Sequence, residues 1–295
     1  MRKLIFFLTC FTFISLTSYA QEDDLANSVL WEVTGPGIEK PSYIYGIINF
    51  LPEDQYDIPK KVKQKLRDCD VFATKIIYNN YARKQFNKAV RIPDGGWIND
   101  YLSDDELNQL RLLLLKDFEV REHQYHDFYS RLQPIILVTS TTALYLDDNI
   151  IYVEDELAKL AKRNRMDFVG LGTIEEEIAA FKQFPIEDQV EAAKYTVNNF
   201  EQHIKDYMDL VKYYIEEQDL DKVKEETMKA TNESQAFKKV YYDERVEHWM
   251  PKIEGLIKLQ PTFFALGVPY LVGEVSLIEL LRKRGYTVKP VEVEH

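Results

Sequence analysis

Lys75 is the residue of this sequence whose position most clearly calls for a chemical explanation. It lies in the apolar run Val71–Ile77, which has the β-branched and aromatic composition of a buried strand. Strand alternation places its side chain on the same face as Ala73. An unpaired buried cation is costly, so the amine must reach water or a carboxylate. We expect it to turn into a cleft at the C-terminal end of the strand and to pair there with Glu154 or Glu156.

A histidine pair is the second candidate for chemistry. His123 and His126 are three residues apart in Glu122–Asp127, so on a helix they share a face with carboxylates nearby, an arrangement that permits a surface zinc site. We favour the alternative of a solvated helix face, because no third ligand stands at a diagnostic spacing. The sequence contains no Gly-x-Ser-x-Gly, no phosphate-binding glycine loop and no His-Glu-x-x-His, so none of those sites is predicted.

The elements that must position these residues fall into strands at both ends of the chain and a long helical region between them. Strands are predicted at Ser28–Thr34, Ser42–Ile48, Val71–Ile77, Phe168–Leu171, Thr262–Leu266 and Tyr286–Val291. Shorter helices are predicted at Ile58–Arg67, from Thr173 onward and at Gly273–Arg284. Helical periodicity runs with few breaks from Ser103, with Glu106 completing a capping box, to about Arg163. No glycine or proline occurs between Pro185 and Pro251, which predicts two or three long helices.

These elements predict an α/β (α+β) fold. Its central mixed β-sheet is formed from strands at both ends of the chain, because the strands are non-local in sequence and the helices must cover them. The region between contributes a large helical insertion.

Charge and the start of the chain indicate compartment and partners. The 295 residues include 49 acidic and 37 basic side chains, a formal net charge of -12. An acidic surface repels phosphate backbones, so no nucleic-acid partner is expected. The cationic Met1–Lys3, the apolar Leu4–Ser18 and the small residues of Ser18–Ala20 are typical of a cleaved export signal. We expect residues 1–20 to be a signal peptide, no transmembrane segment after its cleavage, and a periplasmic or secreted protein.

A set of short motifs, taken together, carries a family resemblance. They are Leu30–Val33, Lys40–Gly46, Ile92–Gly95, Gly170–Leu171, Thr173–Glu176, Asp243–Arg245, Trp249–Glu254, Phe263–Gly267, Gly273–Glu274 and Leu280–Val288. In order and spacing they resemble the TraB/GumN family, to which the Tiki metalloproteases are related. The resemblance implies that residues 21–295 form a single TraB/GumN-like α/β domain, with its helical block at roughly 103–163 and 185–260. In active members it implies a metal-dependent hydrolytic site, built from two Gly-x-x-His motifs and glutamates at strand ends.

Four positions depart from what this resemblance implies. Asn49 stands in place of the first motif's histidine, and Tyr270 in place of the second. Lys75 occupies the position of a glutamate at the end of the third strand, and Gly172 that of a glutamate in a Gly-Leu-Glu-Thr turn. An amide and a neutral phenol are poor ligands for divalent transition ions, and a lysine cation repels them. We therefore expect no metal and no cofactor at this site.

The sequence thus predicts an exported pseudoenzyme that acts by binding a peptide, a protein or a small molecule that the sequence does not identify. The predicted binding cleft consists of Asn49, Lys75, Glu154, Arg245 and Tyr270. The alternative is a peptidase-like hydrolase with a remodelled, metal-independent site that uses Tyr270, Lys75 and Glu154.

Two of the cleft residues have simpler explanations that stay open. Arg245 could instead form a helix-surface salt bridge within Asp243–Arg245, since such pairs are common on helices. Glu154 could simply belong to an acidic first helical turn, which the helix dipole favours.

Overall fold

The computed structural model describes residues 27–147, 149–229 and 234–294, so the predicted signal peptide at 1–20 lies outside the described residues. The strands of the larger sheet are β1 Leu30–Thr34, β2 Ser42–Ile47, β4 Val71–Thr74, β6 Asp167–Gly170, β7 Thr262–Gly267 and β8 Thr287–Val291. Their order is β6-β4-β7-β2-β1-β8. The predicted α/β fold, with a central mixed sheet from both ends of the chain, is confirmed.

Strand direction decides where the strand ends lie. Strands β2, β4, β6 and β7 are mutually parallel, with Thr74 of β4 in register with Gly170 of β6 and Ala265 of β7. Strand β1 runs antiparallel to both β2 and β8. The central strands β2, β4 and β7 are buried almost throughout, as expected for parallel strands covered on both faces.

A two-stranded ribbon lies apart from this sheet. It pairs β3 Phe50–Pro52 with β5 Ile150–Tyr152 in antiparallel register. Strand β5 lies inside the region from Ser103 to about Arg163 that was predicted to be helical with few breaks, and the helical prediction was wrong at these three residues. The run Ile150-Ile151-Tyr152 has strand composition, and it finds a partner strand 100 residues earlier in the chain, which local periodicity does not reveal.

Helices form most of the remaining structure. They are α1 Lys60–Arg67, α2 Asn80–Ala89, α3 Asp104–Arg111, α4 Glu122–Asp127, α5 Pro134–Leu146, α6 Val153–Arg163, α7 Ile174–Phe181, α8 Ile186–Asn198, α9 Phe200–Lys212, α10 Leu220–Met228, α11 Gln235–Lys238, α12 Glu244–Leu259 and α13 Leu277–Lys283. Between Pro185 and Pro251 the chain forms more helices than the two or three predicted. Pro251 does not end a helix but lies inside α12, whose buried face includes Trp249 and Ile253. The burial of that face offsets the hydrogen bond that the proline removes.

The two main hydrophobic cores in the part of the chain that the structure describes differ in size. The larger surrounds the six-stranded sheet and includes Trp31, Phe263 and Trp249. The smaller lies within the helical block and includes Leu110 and Tyr125. In the part of the chain that the structure describes, no helix has the length and apolar character to cross a bilayer.

Candidate functional site

The carboxyl edge of the parallel strands brings the four positions at which the sequence departs from the resemblance to one side of the sheet. Lys75 directly follows β4, Gly172 follows β6 by two residues, and Tyr270 ends the short 3₁₀ turn after β7. Asn49 follows β2 by two residues. Because parallel strands end at a common edge, residues far apart in sequence are gathered there, the usual place of ligand sites in such sheets.

Glu177 of α7 is the centre of an ion cluster at this edge. Its Oε1 accepts a hydrogen bond from Lys75 Nζ at 2.7 Å and one from the Tyr241 hydroxyl at 2.6 Å. Its Oε2 lies 2.7 Å from Nη2 of Arg245. The Glu177 side chain is 1% exposed, against 23% for Lys75 and 9% for Arg245. We call Lys75, Glu177 and Arg245 the ion cluster.

The carboxylate that pairs with Lys75 is not one of those predicted. Glu154 and Glu156 were the expected partners, and both lie in the first turn of α6, but the ion pair is formed with Glu177. Glu156 instead pairs with Lys159 one turn along its own helix. The expectation that the Lys75 amine pairs with an acid is confirmed, and the choice of acid was wrong.

Arg245 lies in the interior rather than on a helix surface. The residue is 8% exposed, and its Nη1 donates a hydrogen bond to the Tyr270 hydroxyl at 3.2 Å. Its guanidinium carbon lies 4.8 Å from the ring centroid of Trp249 and 5.1 Å from that of Tyr241. A planar cation suits such aromatic walls because it stacks on rings while its edge binds carboxylates.

The electrostatics fix the protonation states of the ion cluster. Burial raises the pKa of Glu177, but Lys75 and Arg245 lower it more, to about 2. Burial lowers the pKa of the Lys75 amine, yet Tyr241 and Glu177 more than compensate and leave it well above its ordinary value. Near neutral pH the cluster therefore holds one anion and two cations.

Tyr270 is buried in the aromatic wall beside Arg245. Its ring centroid lies 5.1 Å from those of both Tyr242 and Trp249. Burial raises the pKa of its phenol, so the hydroxyl stays neutral near pH 7. It accepts the hydrogen bond from Arg245, and this makes it a support for the ion cluster.

Gly172 contributes no functional group, but it lets the turn after β6 approach the end of β4 closely. Its amide donates to the Lys75 carbonyl at 2.9 Å, which holds the turn after β6 against the end of β4. A Cβ atom at this position would lie 2.9 Å from Glu176 Oε2 and 3.3 Å from Trp249 Nε1. A glutamate here would require these neighbours to move, so the packing around Gly172 suits a residue without a side chain.

Glu154 lies near the ion cluster but outside it. Its side chain is half-buried at the start of α6. Burial raises its pKa to about 7, although Lys75 acts in the opposite direction. This carboxyl group can therefore change charge near neutral pH, in contrast to Glu177.

The site suits an ion pair better than a metal. Asn49 is exposed in the turn between β2 and β3, while Lys75 and Arg245 occupy the Glu177 carboxylate. Two cations on a single carboxylate form a donor set that disfavours a divalent ion. Within residues 27–147, 149–229 and 234–294 no group of three or more His, Cys, Asp or Glu side chains could hold a metal.

The histidine pair lies on a solvated face, as favoured above. His123 and His126 are both exposed on α4, and His126 Nε2 lies 3.6 Å from Glu122 Oε2. No third ligand joins them among the described residues.

Glu177 is the functional residue that the sequence reasoning missed, although a signal for it existed. It shares a helical face with Ile174 and Phe181, at spacings of three and four residues. A glutamate on the apolar face of a short helix indicates a buried charge that needs a cationic partner.

A model of the family described as the TraB/PrgY/gumN family matches residues 29–290. The comparison with curated proteins returns no match. The comparison with solved structures likewise returns none.

Proposed function

The chain belongs to the TraB/PrgY/gumN family, and from that premise we propose that it is a non-catalytic member that acts by binding a small molecule, a peptide or a partner protein. The observation that carries the proposal is the occupancy of Glu177. Both of its oxygens are taken by Lys75 and Arg245 in a buried setting. A carboxylate held in this way, with a pKa of about 2, is a poor general base near neutral pH and has no free oxygen for a metal.

The four altered positions support the same proposal. The resemblance implies histidines at Asn49 and Tyr270 and glutamates at Lys75 and Gly172. In this chain Asn49 is exposed, Tyr270 supports Arg245, Lys75 supplies a cation and Gly172 has no side chain. At the centre of the site, the positive charges of Lys75 and Arg245 balance the negative charge of Glu177.

Metal analysis of purified residues 21–295, combined with a generic peptidase assay with and without Mn²⁺ or Co²⁺, tests this proposal. We expect no stoichiometric metal and no turnover in either condition. Stoichiometric metal of micromolar or tighter affinity that is lost in Asn49→Ala would overturn it. Asn49→His alone should remain metal-free because Lys75 still places a cation in the site. Tight metal uptake by that single variant would contradict the charge argument.

One observation favours a second candidate, a metal-independent hydrolase that uses Glu154 together with Lys75 and Tyr270. A half-buried carboxyl with a pKa of about 7 is suited to general acid–base work near neutral pH. The raised pKa values of Lys75 and Tyr270 leave both protonated and therefore unable to act as bases. Metal-independent peptide turnover with a pH midpoint near 7, abolished by Glu154→Gln, is the result that would establish this candidate.

We further propose that the protein is exported. The support is the cationic start, the apolar run and the small residues at the end of positions 1–20. N-terminal sequencing of protein recovered from a cell that exports it should begin at Gln21. Recovery of a chain that retains Met1 in the cytoplasm would contradict export.

A further inference from the structure

A pocket of about 300 Å³ lies beside the ion cluster and is not used by it. Its walls are Tyr78, Arg83, Asn87 and Asp155. We call it the interhelical pocket, because Arg83 and Asn87 belong to α2 and Asp155 to the first turn of α6. Its volume is at the lower end of the range for small-molecule sites.

The walls of this pocket are held by packing that does not depend on a ligand. Arg83 and Asn87 are four residues apart and so project from the same face of α2. A neighbouring face of α2 is anchored by Ala82, which packs in a small core with Ile76 and Ile174. The helix start is fixed by the Asn79 side chain, which accepts a hydrogen bond from the Ala82 amide at 2.9 Å.

The polar groups of the pocket are available to a ligand. In the part of the chain that the structure describes, the side chains of Arg83, Asn87 and Asp155 make no hydrogen bond and no ion pair. All three are exposed. Arg83 and Asp155 line one pocket from two different helices and form no ion pair with each other, which leaves room for a molecule between a cation and an anion.

Tyr78 connects this pocket to the ion cluster. Its ring packs edge-on against Phe86 of α2, with centroids 6.1 Å apart. Burial raises the pKa of its phenol. Lys75 lowers this pKa, while Glu177 and Glu154 raise it further. The phenol therefore lies in the field of the ion cluster while it lines the pocket.

The charges of the walls select one class of ligand. A simple anion would meet Arg83 but also the carboxylate of Asp155. A metal cation would find a single carboxylate and an amide, opposed by the guanidinium of Arg83. A molecule that carries both a carboxylate and an ammonium group satisfies both walls at once.

We propose that the interhelical pocket binds a small zwitterion, of which a free α-amino acid is the simplest case. The ligand carboxylate accepts hydrogen bonds from the Arg83 guanidinium, and its ammonium group donates to the Asp155 carboxylate. The Asn87 amide and the Tyr78 hydroxyl provide further hydrogen bonds. This inference names a ligand class for the binding role proposed above and rests on it, whereas its test is independent of metal content and turnover.

Ligand-observed NMR with purified residues 21–295 tests this proposal with L-leucine, N-acetyl-L-leucine and L-leucinamide as probes. Because the walls are exposed, we expect L-leucine to bind with a Kd on the order of 0.1–10 mM. The N-acetyl form lacks the ammonium group and the amide lacks the carboxylate, so each should bind at least about tenfold more weakly.

Variants of the walls identify the site. Arg83→Gln and Asp155→Asn should each weaken L-leucine binding at least about tenfold. Lys84→Gln is the matched control, because it removes a cation from the next residue of the same helix and should leave binding unchanged. Absence of L-leucine binding at its solubility limit overturns the proposal. So does binding that is equal for all three probes, or binding that Arg83→Gln leaves intact.

Discussion

The ion cluster and the interhelical pocket contain similar groups but use them in opposite ways. Each has an arginine and a carboxylate. In the ion cluster, Arg245 and Glu177 are buried and lie 2.7 Å apart. In the pocket, Arg83 and Asp155 are exposed and unpaired within the described residues. The buried charges of the ion cluster are therefore paired with one another, whereas the charges of the interhelical pocket are accessible to a ligand.

Two carboxyl groups mark the boundary between these regions. Cations hold the pKa of Glu177 at about 2, whereas burial raises that of Glu154 to about 7. The difference follows from partners: Glu177 contacts two cations, while Lys75 acts on Glu154 without an ion pair.

Loss of Glu177 should have the largest effect. Glu177→Gln leaves the buried cations of Lys75 and Arg245 without their counterion, and we expect a loss of about 3–5 kcal/mol in the free energy of unfolding. Urea denaturation measures it. Glu175→Gln, an exposed carboxyl on the same helix, is the control and should change stability by less than about 0.5 kcal/mol. If both variants lose a similarly small free energy of unfolding, the ion pairs of Glu177 with Lys75 and Arg245 do not stabilise the fold.

Removal of Lys75 should cost less, since Glu177 retains Arg245 and Tyr241. Lys75→Met keeps the apolar stem, and we expect a loss of about 1–2 kcal/mol. The double variant with Glu177→Gln should lose less than the sum of the two single losses, because Glu177→Gln strands the Lys75 cation, which the double change removes. Arg245 remains without its counterion in both variants. Strictly additive losses in thermal denaturation would place the Lys75 amine in bulk water.

The two carboxyl groups should give opposite pH dependence. The lowered pKa of Glu177 stabilises the fold at pH values above 4.5, the ordinary pKa of a glutamate. This stabilisation is lost as the pH falls toward 2. The raised pKa of Glu154 has the opposite effect, because burial favours the neutral carboxyl group, and this stabilises the fold fully only at pH values below 4.5. This contribution to stability is lost as the pH rises through about 7. Glu154→Gln should therefore stabilise the protein at pH 8, by about 1–3 kcal/mol, and have little effect at pH 4. A destabilising effect of that variant at pH 8 would contradict the assignment.

Changes in the pocket should have the smallest effect on stability. Arg83→Gln and Asp155→Asn remove exposed, unpaired charges, so the free energy of unfolding should change by less than about 0.5 kcal/mol. Urea denaturation at neutral pH checks this. A loss above about 1 kcal/mol would mean that these side chains support the fold, because structural contacts typically contribute about that much.

The sequence was most informative about the sheet edge. The strand compositions of Val71–Thr74 and Thr262–Gly267 and their order in the chain were enough to predict a mixed sheet from both chain ends. The glycines and apolar residues around Asn49, Lys75, Gly172 and Tyr270 located the positions that the structure places at the carboxyl edge. Buried parallel strands can be recognised from sequence because they form nearly continuous runs of apolar residues.

The partner of Lys75 could not be chosen from local pattern. It depended on which helix start the fold places against the end of β4, and that is decided by long-range packing. Gly172 lets α7 begin close to Lys75, since its amide binds the Lys75 carbonyl and Thr173 then caps the helix. Four residues later in α7 comes Glu177. Strand β5 was missed for a similar reason, because its partner β3 is distant in sequence.

Glu177 is held as an ionised carboxylate by two cations. NMR of the protein with ¹³C-labelled glutamate, with Glu177→Gln used to assign the signal, measures its titration directly. We predict that the Glu177 side-chain carboxyl shift stays constant from neutral pH down to pH 4 and begins to change only as the pH approaches 2. In the same spectra Glu154 should titrate near pH 7. A Glu177 midpoint at or above the ordinary value of 4.5 would contradict this assignment, because such a carboxyl group would not be held in ion pairs with Lys75 and Arg245.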